Sequence, residues 1–143
     1  MSVMKANRHE RGFTLIELMI VVVIIGILVG IAVPNFTSMQ GRAKEASVKG
    51  NMHTLQLAME DYSVLHSGTY PVAADKAAVQ ALFPSGAWPN NPFTGAPLAD
   101  ADITFDADPA TQGQMGPNPA NVGDYIIKGY GRSALLTLQL TSG

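Results

Sequence analysis

Arg11-Gly12-Phe13-Thr14-Leu15-Ile16-Glu17-Leu18-Met19-Ile20 opens an apolar run that reaches Val33. From Phe13 to Val33 the residues are nearly all Ile, Val, Leu, Met, Phe, Ala or Gly, and Thr14 and Glu17 are the polar exceptions. About 21 residues at about 1.5 Å each cross the hydrocarbon core of a bilayer. Glu17 does not fit such a segment, because an acid deep in lipid costs roughly 2 to 4 kcal/mol. A carboxylate kept at that cost needs a partner.

Gly12 followed by Phe13-Thr14-Leu15-Ile16-Glu17 and an apolar helix resembles the type III signal sequence of the type IV pilin superfamily. The resemblance covers Arg11 to about Tyr62 and extends to the remainder only as general architecture. It implies that a membrane-embedded prepilin peptidase cuts between Gly12 and Phe13 on the cytoplasmic side and that the new Phe13 amine is methylated. Gly12 suits the cut, since a residue without a side chain leaves the peptide bond open. Cleavage places an ammonium at Phe13, at the helix end where the macrodipole is positive and a cation is disfavoured. Glu17, four residues on, supplies the opposing charge. It acts either within its own chain or, as the family implies, toward the Phe13 amine of a neighbouring subunit. Two charges buried apart are costly and paired are tolerable, so the second arrangement would fix the axial register of incoming subunits.

Lys5, Arg8 and Arg11 against Glu10 make a short basic flank, which stays cytoplasmic by the positive-inside rule and sends the chain beyond Val33 outward. Two simpler readings of this N-terminus are a plain single-pass anchor and a secretory signal peptide with Gly30-Ile31-Ala32 before its cleavage point. Neither explains Gly12, Glu17 and the basic flank together.

The 143 residues carry a net charge near −2 and a charged fraction of 14%, so no basic patch argues for nucleic acid. Cysteine is absent, which excludes disulfides, thiolate metal sites and Cys nucleophiles. Many chains similar to this one close a C-terminal loop with a disulfide, which this one cannot do.

Helix-forming sequence continues past the apolar run. Pro34 cannot donate to the Gly30 carbonyl and, with Gly26 nearby, marks a kink or weak point. Gly26 and Gly30 also allow close helix approach. Val48, Met52, Leu55, Met59 and Tyr62 are spaced four, three, four and three, which aligns them on one helical face, with Leu65 as its extension. Glu45 and Lys49 form a favourable i, i+4 pair. Gly68 and Pro71 end the helix near His66. One helix from Phe13 to about His66 would be roughly 80 Å long, more than a compact small domain needs. A short helix is expected over Asp75 to Phe83. Pro84 to Gly123 is expected as mostly loop, with a short strand at Ile103 to Phe105. Asp124 to Tyr130 and Ala134 to Thr141 read as strands joined near Gly131-Arg132-Ser133, the second alternating Leu136, Leu138 and Leu140 with polar residues.

No phosphate-binding loop, His-Glu-x-x-His or Gly-x-Ser-x-Gly elbow is present, and His9, His53 and His66 are scattered, so the chain is not expected to be an enzyme. No cofactor is required by any motif. Asp100, Asp102, Asp106 and Asp108 cluster in the Pro-rich region, and some secretion pseudopilins similar to this chain bind calcium in a C-terminal loop. The four are therefore weak calcium candidates. Their spacing is not that of an EF-hand, and solvated surface acids are the ordinary reading.

The expected fold is α+β and type IV pilin-like: a long N-terminal helix, about 13–66, whose upper half packs against a small C-terminal antiparallel sheet. The expected organisation is a cleaved leader (1–12), a transmembrane and filament-core segment (13–33), an upper helix (34–66) and a globular head (67–143). The resemblance implies a major pilin that is processed at Gly12 and polymerised into a helical filament. Its implied partners are membrane lipid, prepilin peptidase, an inner-membrane assembly platform and other copies of itself. Its implied location is the bacterial inner membrane as precursor, then an extracellular pilus or a periplasmic pseudopilus. The alternatives are a major pseudopilin of type II secretion and a membrane-tethered binding domain that does not polymerise.

Overall fold

A computed structural model describes residues 12–121 and 124–142. The expected leader, apart from Gly12, lies outside the described residues, as does His9. Helix α1 runs over Leu15–Leu65, 51 residues, within two residues of the expected bounds at each end. Contacts divide the chain into two units, Met1–Ser38 and Met39–Gly143.

The described part of the first unit is a non-helical lead-in at residues 12–14 and the first part of α1. No residue of α1 before Val48 is buried. The helix is unbroken at Pro34, where the Asn35 side chain donates to the Ile31 carbonyl at 3.2 Å and the Thr37 hydroxyl donates to the Pro34 carbonyl at 3.0 Å.

The second unit holds the core. Val48, Met52, Leu55, Met59 and Tyr62 are all buried, as their spacing requires, and Ala58 joins them. At roughly 1.5–3 kcal/mol per fully buried large side chain, this stripe is what fixes the helix on the head. Leu65 is a correction to the sequence reading: it is 65% exposed. It is the last residue of α1, about one turn beyond Tyr62, where the buried apolar stripe ends. The helix then stops on two left-handed residues, Ser67 (φ 57°) and Gly68 (φ 86°), with the Gly68 N–H reaching back to the Ser63 carbonyl at 2.8 Å.

After α1 come a 3₁₀ turn at Ala73–Asp75 and the short helix α2, Lys76–Ala81, whose Val79 is buried. A second 3₁₀ turn occupies Asp100–Asp102. The sheet has three antiparallel strands in the order β1 (Met115–Asn121), β2 (Asp124–Gly129), β3 (Leu140–Thr141). Tyr125, Ile127 and Gly129 of β2 face the core while Asp124, Ile126 and Lys128 alternate outward. The fold is thus the expected α+β arrangement.

Three local expectations are corrected. Strand β1 occupies a stretch expected as loop because of its prolines. The Gln114 carbonyl accepts from Tyr130 N–H at 2.9 Å, on the β2 side, whereas the Met115 carbonyl accepts from Thr104 N–H at 3.1 Å, away from β2. Backbone groups alternate sides along a strand, so Pro117 falls on the side where β2 asks for no N–H, the position an edge strand allows, and Pro119 falls where the register shifts between Asn118 and Asn121. Ile103 to Phe105 is not a strand but a single parallel bridge from Ile103 to Met115. In the last segment only Leu140–Thr141 pairs with β2; Leu136 N–H instead bonds the Gly129 carbonyl at 2.8 Å, and Leu135 bridges Tyr130. The leucine alternation still describes burial: Leu136 is buried and Leu138 and Leu140 pack against the core.

Gly116 is required by close approach. A Cβ there would overlap the Thr104 carbonyl, the group that sits beside β1.

Candidate functional site

The site is the first turn of α1. Phe13 is exposed, Thr14 immediately precedes the helix, and Thr14 accepts the first helical bond from Leu18 N–H at 3.3 Å. Glu17 Oε2 accepts the Thr14 backbone N–H and the Thr14 hydroxyl, both at 2.8 Å, and Glu17 N–H reaches Thr14 Oγ1 at 3.3 Å. This reciprocal arrangement is a capping box, Thr-x-x-Glu, which satisfies two of the donors that a helix start leaves open. Sequence reasoning finds Glu17 as a charge in need of a partner and misses the part played by Thr14. The signal is present in Thr14-Leu15-Ile16-Glu17 itself.

The box uses one carboxylate oxygen. Glu17 Oε1 has no hydrogen-bond partner among the described residues, and Glu17 and Phe13 are both exposed. The Gly12–Phe13 peptide bond lies in non-helical backbone, and nothing among the described residues lies within 4 Å of where a Gly12 side chain would start. The arrangement therefore offers an open bond at one point and a preset carboxylate one helical turn away.

Downstream, α1 contains an 18-residue window with mean hydropathy 3.1 and no buried residue, long and apolar enough to cross a membrane. Every large apolar residue from Phe13 to Val33 is at least half exposed. A Cβ added at Gly26 or Gly30 would meet nothing within 4 Å, so neither glycine is needed for packing inside one copy.

The four aspartates considered for calcium are not assembled into a site. Asp100 accepts the Trp88 indole N–H at 2.6 Å, Asp102 Oδ2 accepts Ala99 N–H at 3.0 Å, and Asp108 pairs with Lys128 at 2.7 Å and with Asn118. The Lys128 and Asn118 bonds hold the Asp108 carboxyl below its ordinary value. Asp106 is exposed. Among the described residues no group of three or more His, Cys, Asp or Glu is placed to hold a metal. His53 is exposed, and His66 stacks on Tyr62 with ring centroids 3.8 Å apart.

Two polar contacts that the sequence does not announce tie α1 to the head. Glu60 accepts the hydroxyls of Tyr70, at 3.1 Å, and of Tyr125. Glu45 accepts Arg132 N–H at 3.1 Å rather than pairing with Lys49.

Comparison with known proteins bears on the same turn. The prokaryotic N-terminal methylation motif matches residues 7–33. The N-terminal segment thus carries this motif. The chain is 52% identical over 62 residues, 43% of its length, to the type IV major pilin protein PilA of Myxococcus xanthus, covering 28% of that protein. It is 42% identical over 65 residues, 46% of its length, to the type II secretion system core protein G of Pseudomonas aeruginosa, covering 45% of it. It is 63% identical over 40 residues, 28% of its length, to the type IV narrow pilus major component PilA5 of Thermus thermophilus, covering 34% of it. The chain thus spans less than half the length of each of these relatives. No solved structure matches it significantly. Relatives from pili and from type II secretion both share identity with this chain, and none of the three relatives named is described as an enzyme.

Proposed function

We propose that this chain is the structural subunit of a type IV pilus-like helical filament, stored in the cytoplasmic membrane, cut between Gly12 and Phe13, and polymerised through α1. The observation that carries the reading is the open Gly12–Phe13 bond followed by a Glu17 carboxylate that is oriented by Thr14 with Oε1 free. Cleavage by a prepilin peptidase and methylation of Phe13 would place a cation at the positive end of the helix, where it gains from a carboxylate. Because Oε2 is committed to Thr14, Oε1 is the oxygen left for the Phe13 ammonium of a neighbouring copy. Gly26, Gly30 and Pro34 would then allow close approach or local adjustment of the packed helices.

Leaving lipid exposes about 16 large apolar side chains between Phe13 and Val33, and at roughly 1.5–3 kcal/mol each their exposure to water would cost tens of kcal/mol. Neighbouring helices can offset that cost. Repetition of one head-to-tail contact without closure generates a helical filament, assembled at an inner-membrane platform.

Mass analysis of the mature protein is expected to give an N-terminus at methylated Phe13, and electron microscopy of sheared surface material is expected to show long fibres. A mature chain starting at Met1 or Val33 would refute processing. The second reading, a major pseudopilin of type II secretion, rests on the similarity to core protein G. It predicts the same N-terminus with no long surface fibres. A tethered binding domain predicts neither fibres nor copies in contact.

A further inference from the structure

We propose that the end of the second unit where α1 enters it, a basic rim formed by Arg42, Lys44, Lys49 and Arg132, rests on the headgroups of an anionic phospholipid surface. The inference rests on the membrane-stored stage of the reading above and is independent of whether copies polymerise.

Residues 39–143 contain six Lys and Arg against nine Asp and Glu, so the unit as a whole is acidic. Its cations are not spread evenly. Arg42, Lys44 and Lys49 lie in the opening turns of the unit, and the chain around β2 brings a fourth to them. Tyr125 bonds Glu60, Gly129 lies against Met52 and Val48, and Arg132 N–H bonds Glu45 at 3.1 Å, so this segment descends along α1 toward the start of the unit. There the Gly131 N–H closes a turn on the Ala134 carbonyl at 2.8 Å, and the Gln112 side chain donates to the Arg132 carbonyl at 2.6 Å. The Arg132 guanidinium lies over Gly41, 3.5 Å from where a Cβ would stand.

Charge and position name the partner. None of the four cations has an ion-pair partner among the described residues, where the one ion pair is Lys128–Asp108. Lys44 donates to the Phe93 carbonyl at 3.4 Å and stands 5.7 Å from the centre of that ring, and neither contact removes its charge. Glu45 is the acid beside them, and it is turned to the Arg132 backbone. Glu60 and Asp61 lie about 16 Å further along α1 than Lys49, and Asp124 adjoins the Tyr125 that bonds Glu60. Cations gathered at one end of an acidic unit fit a negative surface, and the sequence supplies one. Eight uncharged residues, 34–41, separate Arg42 from Val33, the end of an apolar run long enough to cross a membrane. As helix they measure about 12 Å, a distance covered by a polar lipid layer of about 5–8 Å together with a basic side chain whose head seeks phosphate. Leu135, directly after the turn, is 41% exposed and Met39 is 68% exposed, apolar groups that suit a lipid interface better than water. Chain connectivity thus brings this rim to lipid before any other copy arrives.

The absence of cysteine allows a single label on the rim. The full chain carrying Ser133→Cys, labelled there with a fluorescent dye, is reconstituted into vesicles of phosphatidylcholine alone or mixed with phosphatidylglycerol, each with a trace of lipid bearing a quencher on its headgroup. Quenching is expected to be several-fold stronger with phosphatidylglycerol and to fall to the phosphatidylcholine level in concentrated salt. Arg42→Gln and Arg132→Gln are each expected to lower the ratio of contacting to free rims roughly fivefold, and Arg132→Lys to keep it. Arg42 is exposed and makes no hydrogen bond among the described residues, so its variant changes charge without touching the fold. Equal quenching in the two lipids, or glutamine variants that match the parent, would overturn the inference. Quenching that rises with the ratio of protein to lipid at fixed lipid charge would overturn it too, by making a second copy the occupant. Flotation with phosphatidylcholine vesicles measures insertion separately: a chain that does not float fails the membrane-stored reading, and this inference fails with it.

Discussion

Thr14 and Glu17 hold each other across the first turn of α1, with one carboxylate oxygen taking both Thr14 donors at 2.8 Å and the other left open. Two functions are therefore separable on one side chain, the start of the helix and the charge.

Glu17→Gln separates them. A glutamine amide oxygen can take the same two bonds, so helix start and membrane insertion are expected to be kept while the charge is lost. Membrane fractionation is expected to be normal and the fibre yield of sheared material to collapse. Normal yield would remove the assembly role. Thr14→Ala does the reverse, loosening the helix start by about 0.5–2 kcal/mol while keeping the charge, and its yield is expected to fall less.

Met59→Ala and Leu65→Ala test the edge of the buried stripe. Met59 is fully buried, and its truncation is expected to cost about 2–5 kcal/mol. Leu65 is largely exposed, and its truncation is expected to change stability by no more than about 0.5 kcal/mol. Denaturant unfolding of the detergent-solubilised chain distinguishes the two, and equal losses would return Leu65 to the core.

Gly116→Ala pushes a methyl group into the Thr104 carbonyl, which is backbone and cannot swing aside as a long side chain can. The expected cost is about 1–3 kcal/mol, as for other overpacked sites, read as a lower melting temperature. An unchanged melting temperature would show that β1 does not lie this close to Thr104.

Tyr125 sets an alkaline limit. Burial, then its bond to Glu60, pushes its hydroxyl well above the ordinary tyrosine value of about 10, and Tyr70 is raised by the same two causes. A raised folded value means that the folded chain keeps a proton the unfolded chain has released. The contribution is complete below about pH 10 and is lost as pH rises from there toward the folded value. Tyr125→Phe is expected to lower stability at pH 7 by about 0.5–1.5 kcal/mol and to flatten the decline above pH 10. A decline as steep as in the unaltered chain would place the titration elsewhere.

What was legible in the sequence was what depends on local periodicity. The spacing of Val48, Met52, Leu55, Met59 and Tyr62 identified the buried face of α1 because a helix converts spacing into direction without help from the rest of the chain. The outward and inward alternation of β2 was legible for the same reason. Strand β1 was not, because the prolines that argue against a strand are harmless on an edge, and being an edge is a property of the sheet rather than of the segment. The bonds of Asp100 to Trp88 and of Glu60 to Tyr70 and Tyr125 join residues far apart in sequence, and no spacing rule reaches them. At the candidate site, Gly12, Phe13 and Glu17 belong to one local sequence pattern, and the capping box that Thr14 makes with Glu17 is equally local.

The bond that Tyr125 makes to Glu60 binds the sheet to α1, and that of Tyr70 binds the segment after α1 to the same carboxylate, in a chain that has no cysteine. Closure of the head is thus independent of redox state. It needs no oxidising compartment and no thiol oxidase, and a reductant would leave it shut. The same hydroxyls make strong base, rather than a reducing agent, the reagent that loosens it.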